Sequence, residues 1–245
     1  MRKLLTLCLI AVAVPSLFAQ EDMSAQPSKA SQKYAEFRHQ DVEPTYGLAK
    51  VKAMVKRLKE DKDMNRYLPD KDYAALSFEE KFTFAMIHGE DFSQNCDAMP
   101  AIMDEHKKIF SFFPSAFDDE VAWSQRQRDF LKGNRAKVIA LIKDTILTKK
   151  RVGSNLKSAI LELNAVETIP VLVTTYNRDR KDHDILTLMM VLMKENKFPA
   201  FLKSSTYRRL YGDEDNYMSF VMATPAIQRE TINWATSLYK SKRLR

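Results

Sequence analysis

The sequence predicts an all-α protein, an array of antiparallel helical hairpins, compact or drawn out into a short solenoid, behind a cleaved signal peptide. Three observations carry that prediction. Glycine occurs 5 times in 245 residues, where average usage of about 7% would give about 17; this disfavours turn-dense β folds and glycine-rich phosphate loops. Apolar residues recur at helical spacing behind capping signals. No stretch from Gly47 to Thr145 alternates with period two for long enough to argue a strand. With 45% apolar and 29% charged residues, the chain can bury a core and is not compositionally disordered.

Residues 1–19 have the order of a secretory signal peptide: Arg2 and Lys3, an apolar run from Leu4 to Val14, then Pro15 to Ala19. The run is too short to span a bilayer, and an exported protein, periplasmic or secreted, is expected. Cleavage after Ala19 removes two cations and lowers the formal charge from +7 to +5. It also removes Cys8, so Cys96 is left as a single cysteine with no partner for an internal disulfide. Export disfavours nucleic acid as a partner, and the basic tail Lys240, Lys242, Arg243 and Arg245 is expected as a solvated end.

Residues 20–45 are rich in Ser, Gln, Lys and Ala and read as a flexible leader with one weak helix. A first helical region follows over 46–150. Within it Leu48, Val51, Val55 and Leu58 share one face of a helix. Ser77 and Glu80 form a capping box for a helix that runs to about His88. Asp91 to Met99 has no period and reads as a loop; Pro100 then opens a helix to about Phe113. Ser124 caps the next helix and Gly133 ends it, and Asn134 caps one in which Val138, Leu141, Ile142 and Thr145 share a face.

The region 151–245 alternates apolar runs with prolines in the first turn of the run that follows. Thr168-Ile169-Pro170-Val171, Lys197-Phe198-Pro199-Ala200-Phe201-Leu202 and Ala223-Thr224-Pro225-Ala226-Ile227 each come after such a run: Leu156 to Leu163, Ile185 to Met193, and Tyr217 to Met222. On these residues the stretch 154–240 resembles HEAT-like α-helical repeats. The prolines lie 29 and 26 residues apart, closer than in the common helical repeats. The resemblance implies a binding surface built from helical hairpins and no chemistry of its own.

Three groups of residues carry the candidate sites. His88, Cys96 and His106 place two imidazoles and a thiol within one stretch, the ingredients of a zinc site or of a cysteine nucleophile with a histidine base. Their spacings of 8 and 10 match no short zinc motif. Asp61, Asp63, Asn65 and Asp72 set oxygens at positions 1, 3, 5 and 12 of a partial EF-hand loop, although Arg66 stands where the turn needs glycine. Tyr207, Arg208, Arg209 and Tyr211 combine residue types that anchor partner surfaces. His183 between Asp182 and Asp184 reads as a solvated helix start, and His106 as a solvated residue on a charged helix face.

The expected function is an exported, non-enzymatic helical interaction or scaffold protein of the bacterial envelope, with a protein partner and no transmembrane segment in the mature chain. A metal-dependent or cysteine hydrolase centred on His88, Cys96 and His106 stands as one alternative, and a calcium-tuned binder using the Asp61–Asp72 loop as another.

Overall fold

The computed structural model describes residues 26–95, 101–113, 120–212 and 218–243. Among them the chain is mostly helical, with twelve α-helices and a few short strands. Residues 1–25, which hold the expected signal peptide, lie outside the described residues, as does Cys96.

Helix α1 (Lys29–Arg38) starts at Ser28, whose side chain accepts from Ser31 N. The chain then runs extended against the start of a later helix, where Ser154 N donates to Gln40 O and Asn155 Nδ2 donates to Val42 O. Gly153 permits this approach, because a β-carbon there would lie 2.4 Å from Val42 N. Helices α2 (Leu48–Val55), α3 (Asp70–Ala74) and α4 (Phe78–Ile87) follow. They enclose a small cluster of Val51, Leu68, Leu76 and Phe84. The capping box at Ser77 is formed as the sequence predicts, Ser77 Oγ accepting from Glu80 N and Glu80 accepting from Ser77 N.

Past α4 the structure departs from the helical reading. Strand β1 (Asp91–Phe92) pairs antiparallel with β3 (Val121–Ala122). Where a helix was expected up to Phe113, Asp104 turns the chain with φ +51°, a 3₁₀ turn spans Glu105–Lys107, and β2 (Lys108–Phe110) pairs with β4 (Phe220–Met222). Ile109 and Phe110 are β-formers, and the pairing stacks Phe110 near Phe220 with Lys108 Nζ 4.0 Å above the Phe220 ring. A partner strand more than a hundred residues away leaves no trace in local periodicity. The same pairing changes the third expected hairpin. The described part of its first arm contains β4 and not a helix.

Helices α5 (Gln125–Gly133) and α6 (Arg135–Lys149) start after Ser124 and Asn134; Ser124 forms the expected cap, whereas the Asn134 side chain makes no cap bond to α6 and donates back to Phe130 O. Then come α7 (Ser154–Glu162), α8 (Ile169–Asp179), α9 (Asp184–Glu195), α10 (Pro199–Leu202), α11 (Ser205–Tyr211) and α12 (Pro225–Arg243). Pro170, Pro199 and Pro225 each sit in a helical first turn, where a missing N–H costs nothing. Helix α9 is the axis of the molecule: every residue from Asp184 to Met193 is buried. It packs against α7, α8, α10, α12 and strand β2. Among the described residues no helix is long and apolar enough to cross a membrane.

Candidate functional site

Two stretches that the sequence singles out separately lie side by side. The loop after α2 and the loop after α4 are laced by Arg66 N to Glu90 O, His88 Nε2 to Arg66 O at 2.7 Å, and Phe92 N to Asn65 Oδ1 at 2.8 Å. Tyr67 Oη donates to Asp91 Oδ1 at 2.6 Å. Helix α5 closes the group from the far side with Ser124 and Arg126.

Glu90 is the pivot. Its side chain has no exposed surface, and it accepts from Leu68 N (3.0 Å), Ser124 Oγ (2.6 Å), Arg126 Nε (2.8 Å) and Arg126 Nη2. Desolvation opposes its charge, but the bonds from Arg126 and Ser124 outweigh it and hold the carboxyl below its usual range. The Arg126 guanidinium also donates to Leu68 O and to the exposed Asp70 carboxylate, and lies 4.4 Å over the Tyr73 ring. With all its lone pairs engaged, Glu90 is a structural anion that aims Arg126; it is not a free base.

In front of this pivot opens a cleft of about 560 Å³ lined by Tyr67, Leu68, Pro69, Asp70, Asp91 and Arg126, among others. The hydrogen bond to Asp91 pushes the Tyr67 hydroxyl up to about 12, so it is a standing donor at neutral pH. Tyr67, Met64 and Val121 are exposed by 44%, 47% and 54%. Val121 stands on β3, opposite Phe92 of β1. The cleft therefore offers the Tyr67 ring, Leu68 and Pro69 beside the carboxylates of Asp70 and Asp91 and one guanidinium.

His88 and His106 fall in different networks. His88 packs against Phe84 and bonds Arg66 O, and burial holds its imidazole below the usual pKa. His106 sits in the 3₁₀ turn ahead of β2, with a buried Nδ1 and within electrostatic reach of His183. Neither is a freely solvated residue. Among the described residues no group of three or more His, Cys, Asp and Glu is placed to hold a metal ion; Cys96 lies outside them.

In the partial EF-hand stretch, Asp61 turns its oxygens inward. Oδ1 accepts from Asp63 N and Asn65 N, and Oδ2 from Asn65 Nδ2. Asn65 Oδ1 is taken by Phe92, and Asp72 lies in the first turn of α3. The four residues thus serve loop closure, cross-loop bonding and a helix start. Of the third group, Tyr211 is buried and donates to Ser111 O at 2.8 Å, Tyr207 packs edge-on against Phe201, and Arg208 and Arg209 are exposed on α11.

The largest departure from the sequence reading is at Asp182, His183 and Asp184. All three are buried, because the start of α9 is covered by α1. Arg38 Nε donates to both oxygens of Asp184 at 3.0 Å, and Arg38 Nη1 donates to Glu105 Oε1 at 2.6 Å. Lys157 Nζ meets Asp182 at 2.8 Å. Sequence reasoning also passed over Arg126, Glu90 and Arg38. The available signal was slight: lone charges whose partners lie far along the chain. Set against protein-family models, characterised proteins and solved structures, the chain matches none of them.

Proposed function

We propose that this chain is an exported helical interaction module of the bacterial envelope and that the Tyr67–Arg126 cleft holds a segment of its protein partner. The observation that carries the reading is the cleft itself, in which the half-exposed Tyr67 stands with Leu68 and Pro69 among Asp70, Asp91 and Arg126. Large apolar side chains clustered at a polar-rimmed cleft are the composition of binding sites. The carboxylates of Asp70 and Asp91 favour a segment that carries a basic residue next to an apolar one. The pairs α7–α8 and α9–α10, with Pro170 and Pro199 opening their second arms, support a HEAT-like frame within residues 154–240, although the third expected pair holds β4 in its first arm. Export rests on the order of residues 1–19, and sequencing the N-terminus of the protein made in cells should find Gln20; an intact Met1 overturns it.

Photocrosslinking in the producing cell tests the cleft. A benzoylphenylalanine at position 67 or 125, both lining the cleft, should yield one discrete adduct, weakened at least several-fold by Asp70→Lys. The same group at Leu147, which is 61% exposed on α6, should not yield it. Equal adducts at all three positions, or adducts indifferent to Asp70→Lys, would sink the proposal.

A further inference from the structure

Helix α1 is fastened in an unusual way. Its buried residues are Ser31, Tyr34 and Arg38, spaced to share one face, and neither hydrophobic cluster of the described residues contains a residue of α1. Its anchors are polar bonds and ring contacts: the Tyr34 ring packs 5.9 Å from that of His183, and Arg151 lies 4.2 Å over the Phe37 ring and donates to Phe37 O at 2.7 Å. Ser31 Oγ donates to Ile102 O at 2.9 Å and accepts from Glu105 N at 2.8 Å. Tyr34 Oη accepts from His183 N at 3.0 Å. At the C-terminal end Arg38 enters a socket built wholly by the rest of the chain. Asp184 meets its Nε and lies 2.9 Å from Nη2, Glu105 meets Nη1, and the Phe110 ring lies 4.5 Å from the guanidinium carbon.

Two carboxylates at the edges and an aromatic face beneath are what a planar, five-donor cation requires; an ammonium would use fewer of these contacts. Behind the socket, Lys157 Nζ is committed to Asp182 and stands 3.6 Å from Asp184 Oδ2. Asp182 Oδ2 is buried with no hydrogen-bond partner. Withdrawal of Arg38 removes the cation that Asp184 and Glu105 share; Lys157 and Arg151, the other cations nearby, act on Asp182, and Glu105 is left without its guanidinium. Lifting α1 as a unit, moreover, takes no residue out of either hydrophobic cluster and lets water reach those carboxylates. That opening costs less than deleting the Arg38 side chain with α1 still in place, which strands buried charge. A ten-residue helix has little stability of its own, so its position depends on these contacts.

We infer that Asp184, Glu105 and Phe110 form a guanidinium-binding socket, that α1 is a displaceable strap filling it with Arg38, and that an arginine side chain from another protein segment takes the same place. The proposal is independent of the Tyr67–Arg126 cleft, which shares none of these residues.

Hydrogen exchange on the unaltered full chain is the first test. Amides of Lys29–Arg38 should exchange at least tenfold faster than those of Asp184–Glu195. Millimolar ethylguanidinium should speed the α1 amides further by competing with Arg38, whereas ethylammonium at the same concentration should not. The second test is rescue. In the full chain with Arg38→Ala, ethylguanidinium should raise the melting midpoint by a few degrees, as ligand binding to the folded state requires, and the added Asp184→Asn should abolish the rise. Exchange of α1 only together with α9, or equal effects of the two cations, overturns the inference. A folded Arg38→Ala chain that ethylguanidinium leaves unchanged does so too. If Arg38→Ala does not fold, the exchange experiment on the natural chain decides alone.

Discussion

Buried charge is the dominant theme at the residue scale. Glu90 with Arg126, and Asp184 with Arg38, show why a carboxylate is tolerated inside: each is met by a guanidinium and further polar contacts, which offset its desolvation. The histidines behave oppositely, since burial depresses the pKa of both His88 and His183. Unfolded imidazoles protonate near pH 6.5, and the folded ones protonate only at lower pH. Below about pH 6.5 the unfolded chain therefore binds more protons, and stability falls as the pH drops. Asp184 and Glu90, held below their usual range, lose their contribution only at more acidic pH. Desolvation holds Asp182 above its usual range, which acts in the opposite sense. His88→Gln keeps a donor for Arg66 O and should remove roughly half of the histidine-driven loss between pH 7 and pH 5.5. Urea titrations of both proteins at the two pH values measure it, and an unchanged difference would show that His88 does not titrate in this range.

At the scale of elements, local rules hold wherever one segment supplies all the partners. Ser77 and Glu80 satisfy each other's backbone groups at the start of α4, and Gln127 Oε1 returns to Ser124 N at the start of α5. Ser77→Ala should cost about 1 kcal/mol, read as a lower denaturant midpoint with an unchanged slope. A neutral result would mean that tertiary contacts alone hold the start of α4. Where the partner is remote, the local rules fail. The residues of β2 fall in the last turns of the helix expected from Pro100 to about Phe113, yet pairing with β4 buries Ile109 and Phe110 against the molecule. Asn65, one of the candidate calcium ligands, instead bonds β1. A single sequence cannot distinguish these uses, because the same side-chain oxygen serves either.

For the whole molecule, α9 decides. Its Leu and Met residues are buried on every side, so truncation there removes contacts with several elements at once. Leu188→Ala should cost about 2–5 kcal/mol, while Leu147→Ala, on an exposed site of α6, should stay within about 0.5 kcal/mol. Thermal melts of the two variants compare them directly, and similar midpoints would contradict a single core organised around α9. In a one-dimensional stack each repeat touches only its neighbours; α9 touches β2 as well as α12 and α7.

The sequence by itself determined the helical class, the capping boxes that start α4 and α5 and the proline-led starts of α8, α10 and α12. It also marked α9 as a buried helix, since its run of Leu and Met has no polar face. These features depend on spacing and on groups within a turn or two. Only the tertiary structure decided that Asp182, His183 and Asp184 are interior, that Arg38 pairs with Asp184, and that Arg126 bonds Glu90 behind the cleft. A charge is read as solvated until its counter-charge is known, and these partners lie 146 and 36 residues apart. Coulombic and hydrogen-bonding partners are chosen by distance in space, which the folded core sets and no local pattern encodes.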